Sequence, residues 1–370
     1  MRLTSLDVFR GITIAGMILV NQAGLADQVY PVLEHADWNG CTPTDLVFPF
    51  FLFIIGVAMA FSLSKYTQWN RPTASVYWRI GRRCLLLFAL GLLLNGFWNY
   101  DFSTIRMMGV LQRIGLAYFV ASLAVLNLPR KGQWTLVVVL LVGYWLAMSF
   151  VPVPDYGAGN LTRVGNLGAY IDRLIISRAH LYQGDHFNSM GDPEGLFSTL
   201  PAVVTVLAGY FTGSWLRTQP VQSRTSLGLA LFGIGCLIPG WFWGLAFPIN
   251  KKLWTSSYVL FTAGWALLLL AACYELIEVR QYRRWGKPFE VMGLNAIFAF
   301  VASVLLIKIM VKIHVGAGEN APTIYQWIGD RIFLPWATPL NTSLFFAIAT
   351  VLFWWVILYG MYRQRWFFKI

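Results

Sequence analysis

The chain has 370 residues, of which 57% are hydrophobic and only 12% charged, and its mean hydropathy is +0.59. A soluble domain carries about 25% charged residues, so this composition excludes a soluble enzyme, a disordered chain and a disulfide-stapled scaffold, and points to a polytopic membrane protein. The net charge of +12 fits the cytoplasmic excess of Lys and Arg in membrane proteins better than it fits a nucleic-acid partner.

In chain order, ten stretches approach the roughly 20 apolar residues that a spanning helix needs: 8–24, 43–64, 79–97, 108–127, 133–151, 197–216, 226–247, 255–276, 291–311 and 342–361. The expected fold is all-α, a single membrane domain over 1–370 with about ten transmembrane helices and no tandem repeat. The first stretch opens on Asp7 and Arg10, lacks a cleavable pattern, and reads as a retained helix. Pro239 and several glycines predict a kink in the seventh.

A cytoplasmic N-terminus gathers most basic residues on one side. These are Arg2 and Arg10; Lys65, Arg71, Arg79, Arg82 and Arg83; Arg130 and Lys131; Arg217 and Arg224; Arg280, Arg283, Arg284 and Lys287; and Arg363, Arg365 and Lys369. The expected orientation is therefore N-in and C-in. The connections 25–42, 152–196 and 312–341 are then extracytoplasmic. The last two are too long for simple turns and contain Trp, Tyr, His and Pro, so they are expected to be ordered and to cap an outward-facing cavity.

Cys41, Cys84, Cys236 and Cys273 form no CxxC or metal spacing, and three of them, in apolar stretches, read as inert buried thiols. No Walker loop, HExxH, GxSxG or dinucleotide glycine pattern is present. Asp7 and Arg10 share a helix face and read as an ion pair. The same helix ends in Asn21-Gln22.

The informative stretch is Glu34 to Pro49. Thr42 suits a helix N-cap, Pro43 the first helical position and Asp45 the first turn, where the macrodipole favours a carboxylate, so Asp45 reads as structural. His35 precedes that helix beside Asp37, Trp38 and Asn39 and is a candidate proton carrier. Arg113 lies inside an apolar boundary and reads as half of a structural ion pair. Asp192-Pro193-Glu194 is either a turn and cap or a pair of carboxylates for a cationic substrate. Gly209 and Gly213 have the spacing of closely packed helices.

Taken together, SLDVFRG, Asn21 at its helix end, HADWNGCTPTDLVFPFFLFIIG, GVLQRIGLAYF, DPEGLFSTLPAVVTVLAGYFTG and LWTSSYVLF resemble the heparan-alpha-glucosaminide N-acetyltransferase family, in order, from Ser5 to about Phe300. The block from His35 to Gly56 is the most specific. The resemblance begins at the membrane region, and no counterpart of the large lumenal domain of the lysosomal members is expected here. It resembles the shorter bacterial members, which implies an integral protein of a bacterial inner membrane. The resemblance also implies a homodimer and transfer of acetyl from cytosolic acetyl-CoA, the co-substrate, to the amine of a glucosamine-type sugar across the membrane. The family's active histidine falls on His35 and its active-site asparagine on Asn21.

Acetyl-CoA carries phosphate charges and cannot cross a bilayer. Arg79, Arg82, Arg83 and Lys287 are the inner-side candidates for its nucleotide and phosphates. Asp37, Asp192 and Glu194 are candidates for holding the cationic sugar, with Trp38 to stack on its ring and Asn39 beside them. Two chemistries fit: direct transfer, with His35 as base and Asn21 orienting the thioester carbonyl, or prior acetylation of His35. An amino-sugar transporter and a membrane O-acyltransferase are the rival readings. No inverted repeat is evident, which weighs against the transporter.

Overall fold

The computed structural model describes residues 3–25, 28–68, 72–316 and 321–368. Arg2, Arg71 and Lys369 of the basic pattern lie outside the described residues. The α-helices among the described residues are, in order, α1 (Thr4–Asn21), α2 (Val47–Ser62), α3 (Ser64–Gln68), α4 (Ala74–Gly96), α5 (Val110–Asn127), α6 (Arg130–Phe150), α7 (Leu167–Ile175), α8 (Thr199–Leu216), α9 (Ser223–Ala246), α10 (Ser256–Tyr274), α11 (Lys287–Leu294), α12 (Ala296–Lys312), α13 (Ile324–Ile328) and α14 (Pro339–Arg363).

By length and composition, seven segments among the described residues are apolar enough to cross a membrane, and α11 with α12, bent by 79°, make an eighth if the pair is one span. The other two of the ten expected stretches fold as α1 and α4, helices of 18 and 23 residues. Asp7 and Arg10 in the first, and Arg79, Arg82 and Arg83 in the second, lower their apolar character. The protein is an all-α polytopic membrane protein. Pro239 sits inside α9 without breaking it. The connection 152–196 is ordered: it folds into α7 and a 3-10 turn at Arg178–His180, and Asn166 caps α7 by accepting the Ala169 N–H at 2.8 Å. The connection 312–341 contains α13.

The centre of the bundle is α2, α5, α8 and α10, while α6, α9 and α14 expose most of their apolar surface. In lipid there is little hydrophobic drive to bring helices together, so close backbone approach and dispersion carry the packing. The α2–α8 crossing uses this directly. A Cβ on Gly56 would lie 1.9 Å from the Val206 carbonyl oxygen, and one on Gly209 would lie 2.0 Å from the Phe53 carbonyl oxygen. Gly213, one turn further, sits over Val57 in the same seam. The weak glycine spacing of the sequence thus marks a true contact.

Gly209→Leu should lower thermal stability in detergent by about 1–3 kcal/mol or more, as expected for overpacking. Gly235→Ala on α9, where a Cβ meets nothing within 4 Å, should be nearly neutral. Equal melting of both variants would remove the α2–α8 seam as a determinant.

Candidate functional site

A cavity of about 710 Å³ runs through the bundle. Asp7 and Asn21 both line it. They are 14 residues apart on α1, so at 1.5 Å per residue the cavity extends about 21 Å along that helix, a large part of a hydrocarbon core of about 30 Å. One end holds Asn21, His35, Glu194 and Lys251, and the other holds Arg10, Ser62 and Arg83. The wall between them is mostly apolar, from Met17, Phe48, Phe51, Ile55, Ile114 and Phe300.

The His35 end is built around Asp45. Pro43 begins a 3-10 turn, Pro43–Leu46, that leads into α2. The Asp45 side chain is only 1% exposed, so its charge needs donors from the protein. Its Oδ2 accepts the backbone N–H of Ala36 at 3.1 Å and of Thr42 at 3.0 Å. These bonds fold the 36–42 loop back over the turn, and Oδ1 meets His35 Nδ1 at 2.7 Å. With Asp45 ionised, Nδ1 is the donor, which leaves Nε2 as the acceptor. The His35 side chain is 44% exposed.

Lys251 completes the cluster. Its Nζ lies 2.9 Å from His35 Nδ1, 3.3 Å from His35 Nε2 and 3.4 Å from Asp45 Oδ1. The loop that carries it is fixed by buried Asn250, whose Oδ1 accepts the Leu253 N–H at 2.8 Å, while the Thr255 hydroxyl donates to the Pro248 carbonyl at 2.9 Å. The same loop grips the His35 loop: Gly40 N–H donates to the Ile249 carbonyl at 2.8 Å, and Asn250 Nδ2 donates to Asn39 Oδ1 at 3.1 Å. From α10, the Tyr258 hydroxyl donates to the Asp45 carbonyl at 2.6 Å. Burial pulls the Lys251 ammonium below the ordinary lysine value, against the opposing pull of Asp45 and Glu194. Burial and then the Asp45 charge push the neighbouring Cys41 thiol up to about 12, so it stays protonated.

Glu194 enters from the 152–196 connection. Arg106 donates through Nε to Asp192 Oδ2 at 2.8 Å and through Nη2 to both Asp192 and Glu194. Burial disfavours the Glu194 charge, but Arg106 and Arg113 outweigh it and hold the carboxyl below its usual range. Arg113, at 0% exposure, bonds to the Gly195 carbonyl at 3.3 Å and to the Ser198 hydroxyl, with its guanidinium over the Trp254 ring. Its partners in direct contact are thus a carbonyl, a hydroxyl and a ring, in place of the expected carboxylate.

The structure gathers His35, Asn21, Glu194 and Arg83 on one cavity and leaves the other sequence candidates on different contacts. Asp37 pairs with Arg163 at 2.5 Å. The Trp38 indole donates to the Leu161 carbonyl at 2.9 Å and lies beneath the Arg163 guanidinium. Asn39 is bound by Asn250, and Asp192 is engaged by Arg106 beside the cavity wall. Of the four inner cations, Arg83 lines the cavity, with its Nε buried and unpaired. Arg79 bonds to Tyr66 and Ser75, Arg82 is exposed, and Lys287 bonds to Glu290 and Tyr362. Arg10, read as a structural partner of Asp7, does pair with it at 3.3 Å, yet both line the cavity. Phe367 and Phe368 line the wall there. Asn295, at the bend between α11 and α12, donates to the Trp366 carbonyl and accepts the Phe368 N–H, both at 2.9 Å. The 312–341 connection supplies no lining residue among those described.

The family model for heparan-alpha-glucosaminide N-acetyltransferase, catalytic, matches residues 2–233. The chain belongs to the heparan-alpha-glucosaminide N-acetyltransferase family. The human protein of that name is 31% identical over 356 residues, which cover 81% of this chain and 52% of the relative. The mouse protein is 27% identical over 427 aligned positions, covering 100% of this chain and 60% of the relative. The chain thus spans somewhat more than half the length of these relatives. His35, Asn21, Asp45 and Glu194 fall inside the matched region of the family, and Lys251 lies beyond it.

Sequence reasoning missed Lys251. Its signal is Lys251-Lys252 between two apolar stretches, on the side where the basic pattern disfavours lysine. Arg106→Met should destabilise the protein by about 3–5 kcal/mol, because it leaves two buried carboxylates without their shared cation. Detergent melting measures this, and a loss below 1 kcal/mol would show that the 192–194 turn does not depend on Arg106.

Proposed function

We propose that the protein is a transmembrane N-acetyltransferase that moves acetyl from acetyl-CoA to the amine of a glucosamine-type sugar. The observation that carries this reading is the continuous cavity with cations at one end and the His35–Asp45 pair at the other. Acetyl-CoA enters by the Arg10 and Arg83 end, which the basic pattern assigns to the cytoplasm. Its phosphates stay among those guanidiniums, with Arg79, Arg82 and Lys287 at the rim, and its uncharged arm lies along the apolar wall. The acetyl end then reaches Asn21 and His35. Asn21 orients the thioester carbonyl and stabilises the oxyanion. Glu194 attracts the sugar as an ammonium ion, and Asp37, Trp38, Asn39 and Asp192 shape the approach.

Transfer is direct. The free amine attacks the thioester carbon, His35 Nε2 takes the proton that the nitrogen must lose, and the C–S bond breaks. Asp45 keeps the Nδ1–H tautomer that makes Nε2 the acceptor. Direct transfer needs no long-lived acetyl-imidazole near water.

Purified protein in detergent, given labelled acetyl-CoA and glucosamine, should form the N-acetylated sugar, with no gradient required. Sealed-vesicle uptake without acetylation would establish the transporter instead, and acylation at hydroxyl alone would establish the O-acyltransferase. His35→Ala should lose about 100- to 10,000-fold in turnover and still bind acetyl-CoA. Near-normal turnover of the folded variant would remove His35 from the chemistry.

Arg83→Ala should raise the acetyl-CoA KM several-fold and leave the sugar KM nearly unchanged. If both constants rise equally, Arg83 has no special part in donor binding.

A further inference from the structure

Lys251 has no place in the reaction as written, yet it touches both members of the pair that carries it. Asp45 Oδ2 is occupied by the Ala36 and Thr42 backbone N–H groups, so only Oδ1 faces His35 Nδ1 and Lys251 Nζ. This one buried carboxylate has two neighbours able to carry positive charge. A buried site tolerates one cation against one anion far better than two cations in contact. An alkylammonium holds its proton about four pH units more tightly than an imidazolium in water. Burial weakens the hold of Lys251 on its proton, but the Asp45 and Glu194 carboxylates oppose that loss, and of the two Lys251 is the group that stays charged.

We propose that Lys251 is a positioning residue that sets the charge of the His35–Asp45 pair: its ammonium balances the Asp45 carboxylate, so His35 rests neutral and ready to accept a proton. The other charged or titratable groups facing Lys251 are Glu194 across the cavity, Cys41 on the His35 loop and Lys252 beside it. Burial and Asp45 keep the Cys41 thiol neutral, and Lys252 has its own partner in Asp185 at 3.3 Å. Neither supplies the balancing charge.

The arrangement also disposes of the proton. The sugar ammonium loses one proton to solvent on becoming the free amine. The amine nitrogen bonds to the thioester carbon, its second proton passes to His35 Nε2, and the C–S bond breaks to give the CoA thiolate. The imidazolium now stands 2.9 Å from the Lys251 ammonium. That repulsion makes it a strong donor, and its proton goes to the thiolate sulfur. The products are the N-acetyl sugar, CoA thiol and the one proton released, with His35 neutral again.

This use of Lys251 rests on the acetyl-transfer reading, but the charge balance can be measured without it. Two profiles against pH are needed on the detergent-purified protein. One is initial rate with acetyl-CoA and glucosamine. The other is carbethoxylation of His35 by diethylpyrocarbonate, which reacts with unprotonated imidazole, located by peptide mass spectrometry with no substrate present. In Lys251→Met, Asp45 is left to draw the charge onto His35. The half-maximal pH of both profiles should then rise by about one pH unit or more, with roughly ten-fold or greater loss of turnover at neutral pH. Lys251→Arg keeps the cation and should bring both half-maximal values back toward those of the unaltered protein, even if its turnover is lower. If Lys251→Met does not fold, Lys251→Gln takes the same readouts. Profiles unmoved in a folded charge-removing variant overturn the proposal and leave Lys251 a packing residue. A shifted carbethoxylation profile in a protein that forms no acetyl sugar would instead overturn the acetyl-transfer reading and keep the charge balance.

Discussion

A carboxylate buried at the mouth of a membrane helix is the constraint on which this site depends. An ionised Asp45 shielded from water costs several kcal/mol unless the chain supplies hydrogen-bond donors. The donors are the Ala36 and Thr42 amides, the Thr42 hydroxyl, the His35 ring and the Lys251 ammonium. Each bond fixes one element. The amides shape the loop, the imidazole is turned so that one nitrogen donates, and the loop before α10 is drawn across to meet it. Tyr258 then secures the Asp45 backbone from α10. The reactive geometry and the compensation of a buried charge are one set of bonds, so a variant at any member disturbs both.

The second determinant is the close approach of helices. Gly56 and Gly209 bring α2 and α8 together on one side of the cavity. On the other, a Cβ on Gly293 of α11 would lie 2.1 Å from the Asp7 carbonyl of α1. Tight seams flanking the cavity leave bulkier side chains to line most of it, and these form an apolar wall between two polar ends. A wall of this kind admits a flexible uncharged chain and rejects charged groups, which lose their hydration there with nothing in return. Under the proposed reading, separation of charge along the cavity acts as a selection rule: phosphates would be retained at the arginine end and an amine at the carboxylate end.

The legibility of this site in the sequence followed the range of its contacts. Helices were readable because hydropathy is a local property, and the Pro43 turn was readable because its signals lie within four residues. His35 stood out within a contiguous motif, while Asn21 at its helix end gained its role only from the family resemblance. Asp45 was read as a helix-start carboxylate, and it occupies that position, but its second identity as the partner of His35 depends on a loop that folds back ten residues. Lys251 meets His35 across 216 residues, and no periodicity reports such a contact. The Asp37-Trp38-Asn39 run has the composition of a sugar-binding surface, yet its partners at Leu161, Arg163 and Asn250 make it the seam that holds three connections together. For the inner cations, helix spacing groups Arg79, Arg82 and Arg83 within one turn, and only tertiary packing decides that Arg83 turns toward the cavity.

Glu194 and His35 show why one carboxylate is not enough for an amine acceptor. Arg106 and Arg113 hold Glu194 as a fixed anion, which suits it to attract an ammonium ion and unsuits it to take a proton. An ammonium, however, has no lone pair and cannot attack a thioester. In the proposed reaction the bound ammonium first gives one proton to solvent, and the attacking amine must then lose a second, which calls for a proton acceptor close by whose charge can change. His35 suits that role, since Asp45 holds one ring nitrogen as the donor and leaves the other, 3.3 Å from Lys251 Nζ, as the acceptor. In the proposed reaction attraction and deprotonation are divided between two groups on one cavity wall, and the arginines that make Glu194 a poor base are what make it a reliable anion.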